Sequence, residues 1–335
     1  MRPRFYPHPC ERVELSQTMM SWLLFAGQFV YKVKKPVHLP FCDAATVAKR
    51  YQLCADEVRL NGRLAPDVYV GVRGIVRERQ EYVLAEPRTS PRDALEFAVV
   101  MRRLPSERML LRMVADGCAN ANDMRELAVT LAAFHASASI AKSNVWGSSQ
   151  AVSRLLAGNL TAARKIAADS VTRESLAAIE MRARRYLIAR RQSLDNRVRD
   201  GYVREGHGDL RCDSVFFGAD GPVILDCVEY SESLRYGDVG SELASLAVDL
   251  DLGGRLDLAD EFLKAYIAEA NDPGIEELLG LYKCYRAVLR GKLETLESLQ
   301  TDLPTEQRIA ARNNARQAFS LAHGYIGSPG PTLAA

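Results

Sequence analysis

Residues 207–226, HGDLRCDSVFFGADGPVILD, hold the densest set of side chains in the chain that could act on one substrate. Asp209 precedes and Asp226 ends a segment in which SVFF and PVILD flank Gly218-Ala219-Asp220-Gly221, the turn chemistry of a β-hairpin. Such a ribbon folds its two carboxylates back toward each other. Paired carboxylates suit a metal-phosphate complex: one orients or deprotonates an attacking hydroxyl, and the other holds a magnesium ion that bridges phosphate oxygens. Asp209 fits the first role and Asp226 the second, and magnesium retains enough water that few protein ligands suffice. Taken alone, His-Gly-Asp is commonly a turn with a capping aspartate. The hairpin and Asp226 together favour the chemical reading.

The elements that must position these groups differ along the chain. Residues 21–35, SWLLFAGQFVYKVKK, read as two strands around an Ala26-Gly27-Gln28 turn. A helix is expected from about Ala44 to Leu64, where apolar residues recur every three to four positions, and strands over 68–76, 81–85 and 95–101. Pro105 restricts the backbone before it and marks an extended crossing. The expected domains are therefore 1–104, rich in strands, and 105–326, helical but containing the 207–226 ribbon, with a disordered tail at 327–335. Helices are expected at 123–138, 149–168, 172–194, 241–250, 257–270, 275–299 and 305–323. Lys32 alone would be a strand-end gatekeeper. Lys34 shares its face, and Lys32 is preferred because Phe29-Val30-Tyr31 leads into it.

In order along the chain, these pieces resemble the aminoglycoside phosphotransferase and choline kinase-like family. His207-Gly208-Asp209-Leu210, the hairpin and Asp226 look like its HGDLH-x-x-N motif and downstream aspartate. AGQFVYKVKKPVHLPF resembles its second and third strands, MRRLP its hinge, LAVTLAAFHASA its first large-lobe helix, and GDVGSELASLAVDLD the segment after the metal aspartate. The likeness runs from about Tyr6 to about Lys292 and is nearest a bacterial branch often followed by a P-loop ATPase domain. No G-x-x-x-x-G-K-[ST] occurs in this sequence.

The resemblance implies an α+β, two-lobed protein kinase-like fold with a small β-rich N-lobe and a large, mainly helical C-lobe. It also implies ATP and Mg2+ as cofactors and a small hydroxyl acceptor, such as a sugar or an aminoglycoside-like compound. Residue by residue, it makes Asp209 the catalytic base, with His207 and Arg211 in the same loop. Asp226 becomes the main metal ligand, with Ser214 or Asp213 accessory. Lys32, held by Glu57 rather than the neighbouring Asp56, becomes the phosphate anchor; Ser21 falls in the nucleotide loop, Met101 and Arg103 in the hinge whose backbone receives adenine. Asp238 matches an acid that supports the catalytic loop. The chain departs from the family at Ser214, where asparagine is expected, at Arg211 in place of the second histidine, and in Thr18-Met19-Met20-Ser21, where T-H-x-S is usual. These departures motivate a second reading, a nucleotide-binding regulatory module without transfer activity.

Composition narrows the partners. Lys and Arg total 44 against 42 Asp and Glu in 335 residues, so net charge gives no case for nucleic acid or a membrane surface. The arginines between Arg182 and Arg199 read as the solvated face of an amphipathic helix without the aromatics that stack on bases. Seven scattered cysteines without a CxxC pair suggest reduced thiols and a cytoplasmic protein, and Cys212 is read as inert. No signal peptide or membrane span is expected. His135 is read as a hydrogen-bonded core histidine. Tyr282, Lys283, Arg286 and Arg290, at helical spacing, could touch substrate, although a surface stripe is the commoner meaning of such spacing.

Overall fold

The computed structural model describes residues 5–85, 94–143, 145–167 and 170–327; most of the tail expected to be disordered, residues 328–335, lies outside the described residues. Strands β1 (Val13–Gln17), β2 (Ser21–Ala26) and β3 (Phe29–Lys34) come first, then the short β4 (His38–Leu39) and β5 (Cys42–Asp43). Helix α1 (Val47–Asn61) leads to β6 (Tyr69–Glu78), β7 (Glu81–Leu84) and β8 (Glu96–Arg102). Helices α2 (Leu110–Ala115), α3 (Ala121–Ser137), α4 (Ser149–Ile166), α5 (Ser170–Ala189) and α6 (Arg191–Arg199) precede β9 (Val203–Glu205) and the hairpin β10 (Val215–Gly218) and β11 (Gly221–Ile224). The order closes with α7 (Glu232–Arg235), β12 (Tyr236–Asp238), α8 (Val239–Leu252), α9 (Leu256–Ala270), α10 (Glu276–Ser298) and α11 (Thr305–Tyr325).

Two compact units emerge: Met1–Met109 with Ser214–Glu232, and Leu110–Asp213 with Ser233–Ala335. The first is built on an antiparallel sheet in the order β1-β2-β3-β8-β6-β7. Gly27 turns the β2–β3 hairpin at φ 57, a region that favours glycine. Strand alternation splits β3 between two layers. Tyr31 and Val33 pack with Phe5, Tyr6 and Leu24 on one side, and Val30 packs with Cys54 and Val99 on the other. Thr46 caps α1 by accepting from the Lys49 N–H, and Arg50, Cys54, Glu57, Leu60 and Asn61 form its buried stripe.

The hairpin was expected to belong with the helical part, yet it groups with the sheet. Its residues explain why. Val223 and Leu225 pack against the α1-side layer, and Arg108 Nε donates to the Phe217 carbonyl at 2.8 Å. Just past β11, Cys227 N–H donates to Asn61 Oδ1 at 2.8 Å.

In the second unit, α4, α5, α8, α10 and α11 share one core, including Leu156, Ile179, Val248, Leu281 and Phe319. The helix expected over 172–194 is in fact two, parting at Arg190 (φ −108, ψ 12). Arg197, expected on a solvated face, is buried: it bridges Asp238 (2.6 Å) and Asp272 (2.7 Å), and those carboxylates offset the cost of removing a guanidinium from water. None of the seven cysteines is joined in a disulfide. Among the described residues no helix is long and apolar enough to cross a membrane.

Candidate active site

Because β3 alternates, Lys32 and Lys34 project from the same face as Val30, toward α1. Lys32 Nζ lies 2.8 Å from Glu57 Oε1 and 2.6 Å from Asp226 Oδ1. Lys34 Nζ lies 2.5 Å from Glu57 Oε2 and 2.5 Å from Glu229 Oε1. Both lysines therefore share the buried Glu57, and Asp56 instead pairs with Arg59 at 2.8 Å. Exposure separates the two lysines. The side chains around Lys34 are sealed, Glu57 at 0% and Glu229 at 5%, whereas Asp226 beside Lys32 is 69% exposed. Lys32 is thus the one that borders space a ligand could enter.

The charges reinforce one another. Burial works to lower the Lys32 pKa, but Asp226 and then Glu57 outweigh it and hold the ammonium well above its ordinary value. Burial likewise works to raise Glu57, yet Lys32 and Lys34 hold it below the usual carboxylate range. Glu229 is pushed up by burial, which Lys34 offsets only in part.

Asp226 has φ 66, a left-handed conformation that few residues other than glycine adopt. Its N–H donates to the Tyr69 hydroxyl at 3.3 Å, so the sheet unit fixes this turn. At the same open end of the hairpin, the Ser214 carbonyl accepts from Leu225 N–H at 2.8 Å. Oxygen donors are what magnesium takes. The exposed Asp226 carboxylate leaves room for retained waters, and Ser214, only 5% exposed, offers a hydroxyl from a buried position. By chemical type, a carboxylate and a hydroxyl are donors that suit the ion.

In the helical unit the loop carrying Asp209 is pinned by a residue that sequence reasoning missed. Glu242, in the first turns of α8, accepts from the backbone N–H groups of His207 (2.7 Å) and Gly208 (2.9 Å) through Oε2. Its Oε1 faces His135 Nε2 at 2.9 Å, while His135 Nδ1 meets the Tyr266 hydroxyl at 2.7 Å. His135 is therefore the bonded core histidine that was expected. Burial works to raise Glu242, but the bond and charge from His135, aided by His207 and the Gly208 amide, bring it down to about 2. Gly206 is matched to this carboxylate: a Cβ there would stand 2.3 Å from Glu242 Oε2. Buried His207 accepts from Asp209 N–H at 3.3 Å, and the Asp209 side chain is exposed.

Asp238, the acid expected to support this loop, instead caps α8 by accepting from Gly240 N–H at 2.8 Å and holds Arg197. Its partner, an arginine 41 residues earlier in the chain, was not legible in the sequence. The signal that could have found Glu242 was the pair Gly206 and Gly208 around a histidine, which marks a backbone closely approached by something else.

The remaining expected residues fall as follows. Asp213 is held by Arg211 at 2.9 Å. Burial pushes the Cys212 thiol well above its ordinary value, so it is protonated near neutrality. Ser21, buried at the start of β2, donates its N–H to Thr18 Oγ1 at 3.0 Å, closing the loop before the strand. Met101 is buried in β8. Arg103 donates its N–H to the Gln28 carbonyl at 2.8 Å, so that donor is already engaged, and its guanidinium lies over Phe25. The stripe on α10 is only partly a surface one, since Tyr282 is buried and Lys283 pairs with Asp251 at 2.7 Å.

Comparison with known proteins follows the same lines. Residues 48–281 match the model of the phosphotransferase enzyme family. An uncharacterized protein of Mycobacterium tuberculosis is 32% identical over 289 residues, covering 86% of this chain and 56% of that protein, and a Mycobacterium bovis protein matches equally. The chain thus spans about half the length of the curated relatives it matches. Among solved structures, a microcompartment-associated aminopropanol kinase aligns with TM-score 0.54 at 16% identity over 99% of this chain and 97% of that one. A thermostable mutant of an aminoglycoside phosphotransferase gives 0.54 at 11% identity, over 97% of each chain. A choline/ethanolamine kinase family protein from Mesorhizobium loti gives 0.52 at 13% identity, over 94% and 92%. These likenesses establish the protein kinase-like α+β fold.

Proposed function

The chain belongs to the phosphotransferase enzyme family, and on that premise we propose that it is a small-molecule kinase moving the γ-phosphoryl group of ATP to a hydroxyl of a small polar acceptor, a sugar or aminoglycoside-like compound in the broadest reading. In the step, the acceptor O–H proton passes to the Asp209 carboxylate. The new bond forms between the acceptor oxygen and the γ-phosphorus, while the bond to the β,γ-bridging oxygen breaks and ADP leaves with that electron pair. Lys32 binds phosphate oxygens, and Asp226, with Ser214 as accessory, would hold magnesium. That ion, when bound, offsets charge on the phosphate oxygens. His207 and Glu242 keep the loop in place, and Arg211 contributes a cation to the same loop.

One observation supports this reading most. Lys32 is ion-paired at once to the buried Glu57 and to the exposed Asp226, an arrangement that keeps it charged at the mouth of the sheet unit. The test is ADP release from magnesium and ATP across a panel of hydroxyl compounds. Acceptor-dependent release is expected. Serine in place of asparagine at position 214 favours the second reading, a nucleotide-binding module: metal-independent nucleotide binding with no release for any acceptor would establish it. Ser214→Asn then separates lost function, where activity rises, from a serine tuned to its site, where activity falls.

A further inference from the structure

Within the helical unit, Asp209 opens onto a small cleft lined also by Arg211, Ser245, Asp249, Arg286 and Arg290. Its charges are only partly matched. Arg290 is ion-paired to Asp249, whose second oxygen accepts from the Cys212 N–H at 3.2 Å. Arg211 is held by Asp213 at 2.9 Å and lies 3.9 Å from Asp249. Arg286 is different. Its Nε donates to the Ser241 carbonyl at 2.9 Å and its guanidinium carbon stands 5.5 Å from the Tyr285 ring. Among the described residues, it has no carboxylate within ion-pair distance, and neither does Asp209 have a cation.

A partly exposed guanidinium with no protein carboxylate beside it is open to an anion from solvent. The planar fork of arginine matches carboxylate and phosphate oxygens, and an acceptor bearing such a group supplies the missing charge. An ammonium would meet three arginines here, and the one carboxylate besides Asp209 that lines the cleft is already neutralised.

We propose that the acceptor is an anionic hydroxyl compound, whose carboxylate or phosphate group is bound by Arg286 while its hydroxyl meets Asp209. This rests on the phosphotransferase reading and narrows it. Arg286 is then the residue that sets specificity, and Ser245 offers a second donor from the facing helix α8.

Two matched sets of probes test the assignment: glycerate, glycerol phosphate, glycerol and serinol; and gluconate, glucose phosphate, glucose and glucosamine. Each is assayed for turnover with saturating magnesium and ATP, and for thermal stabilisation of the protein, on the wild type and on Arg286→Gln, Arg286→Lys and Asp209→Asn. An anionic member is expected to have the highest kcat/KM in its set. Arg286→Gln raises the KM for that anion roughly 10- to 100-fold, the loss of one charge-assisted bond, with a much smaller change in kcat, and Arg286→Lys recovers part of it. Activity confined to the acids identifies a hydroxy acid; activity confined to the esters identifies a phosphorylated alcohol or sugar. Preference for the neutral or amine members, or an anion KM unmoved by Arg286→Gln, overturns the proposal and leaves the phosphotransferase reading standing. Anion stabilisation that survives Asp209→Asn and is lost in Arg286→Gln, with no transfer by the wild type, keeps the anion site and removes the transfer reading. Absence of any anion stabilisation in a wild type that transfers nothing removes both. Should Arg286→Gln fail to fold, the comparison rests on Arg286→Lys.

Discussion

Two lysines two residues apart on β3 share one buried glutamate and differ in what else they touch. Lys34 sits between Glu57 and Glu229, both sealed from water. Removing it by Lys34→Ala leaves two buried carboxylates with one cation fewer, an expected loss of about 3–5 kcal/mol in stability. Lys32→Ala is expected to cost less, since water can reach Asp226, and to show itself as weakened nucleotide binding. Urea unfolding and nucleotide titration of both variants distinguish the roles, and the reverse pattern would assign the phosphate to Lys34. Glu242 makes a second prediction, in pH. Its carboxyl lies at about 2 when folded against an ordinary value of 4.5. A folded value below the unfolded one stabilises fully above about 4.5, and that contribution is lost as pH falls from 4.5 toward 2, on the order of 3 kcal/mol. The stability gap between the wild type and Glu242→Gln should shrink across that window in unfolding measurements at stepped pH. A constant gap contradicts the assignment.

Among the elements, the loop before β10 depends on a glycine with no room beside it. In Gly206→Ala the new Cβ would collide with Glu242 Oε2, so the loop must shift, at an expected cost of about 1–3 kcal/mol and with loss of turnover. Gly158, in the interior of α4, has open space where a Cβ would stand, with nothing within 4 Å, and Gly158→Ala should instead stabilise by about 0.4–1 kcal/mol. Melting temperature and kcat measured on the pair separate a loop effect from a general one. The same elements show how far the sequence could be read. The β2–β3 and β10–β11 hairpins and α1 were legible because glycine turns and three-to-four spacing are local signals. Strand β1 was not, since it is a short edge strand of five residues that are mostly exposed, with no glycine turn of its own to mark it. Glu242 escaped because it reaches the loop through tertiary folding, 35 residues along the chain from His207.

At the scale of the whole molecule, the order of the motifs was enough for the family and the fold, and the match of residues 48–281 to the phosphotransferase enzyme family agrees with it. The allegiance of the hairpin was not legible, because packing of Val223 and Leu225, and not chain order, decides which core a ribbon joins. Lys32, Glu57 and Asp226 belong to the sheet unit, and Asp209 and the cleft with Arg286 belong to the helical unit. The central claim of the proposed function is proton acceptance by Asp209 during transfer. Its most direct test is the rate at which label moves from γ-labelled ATP to an accepted hydroxyl compound, in the wild type and in Asp209→Asn. A fall of roughly 100- to 10,000-fold in kcat with nucleotide affinity retained is expected; transfer by the variant at the wild-type rate would contradict the account.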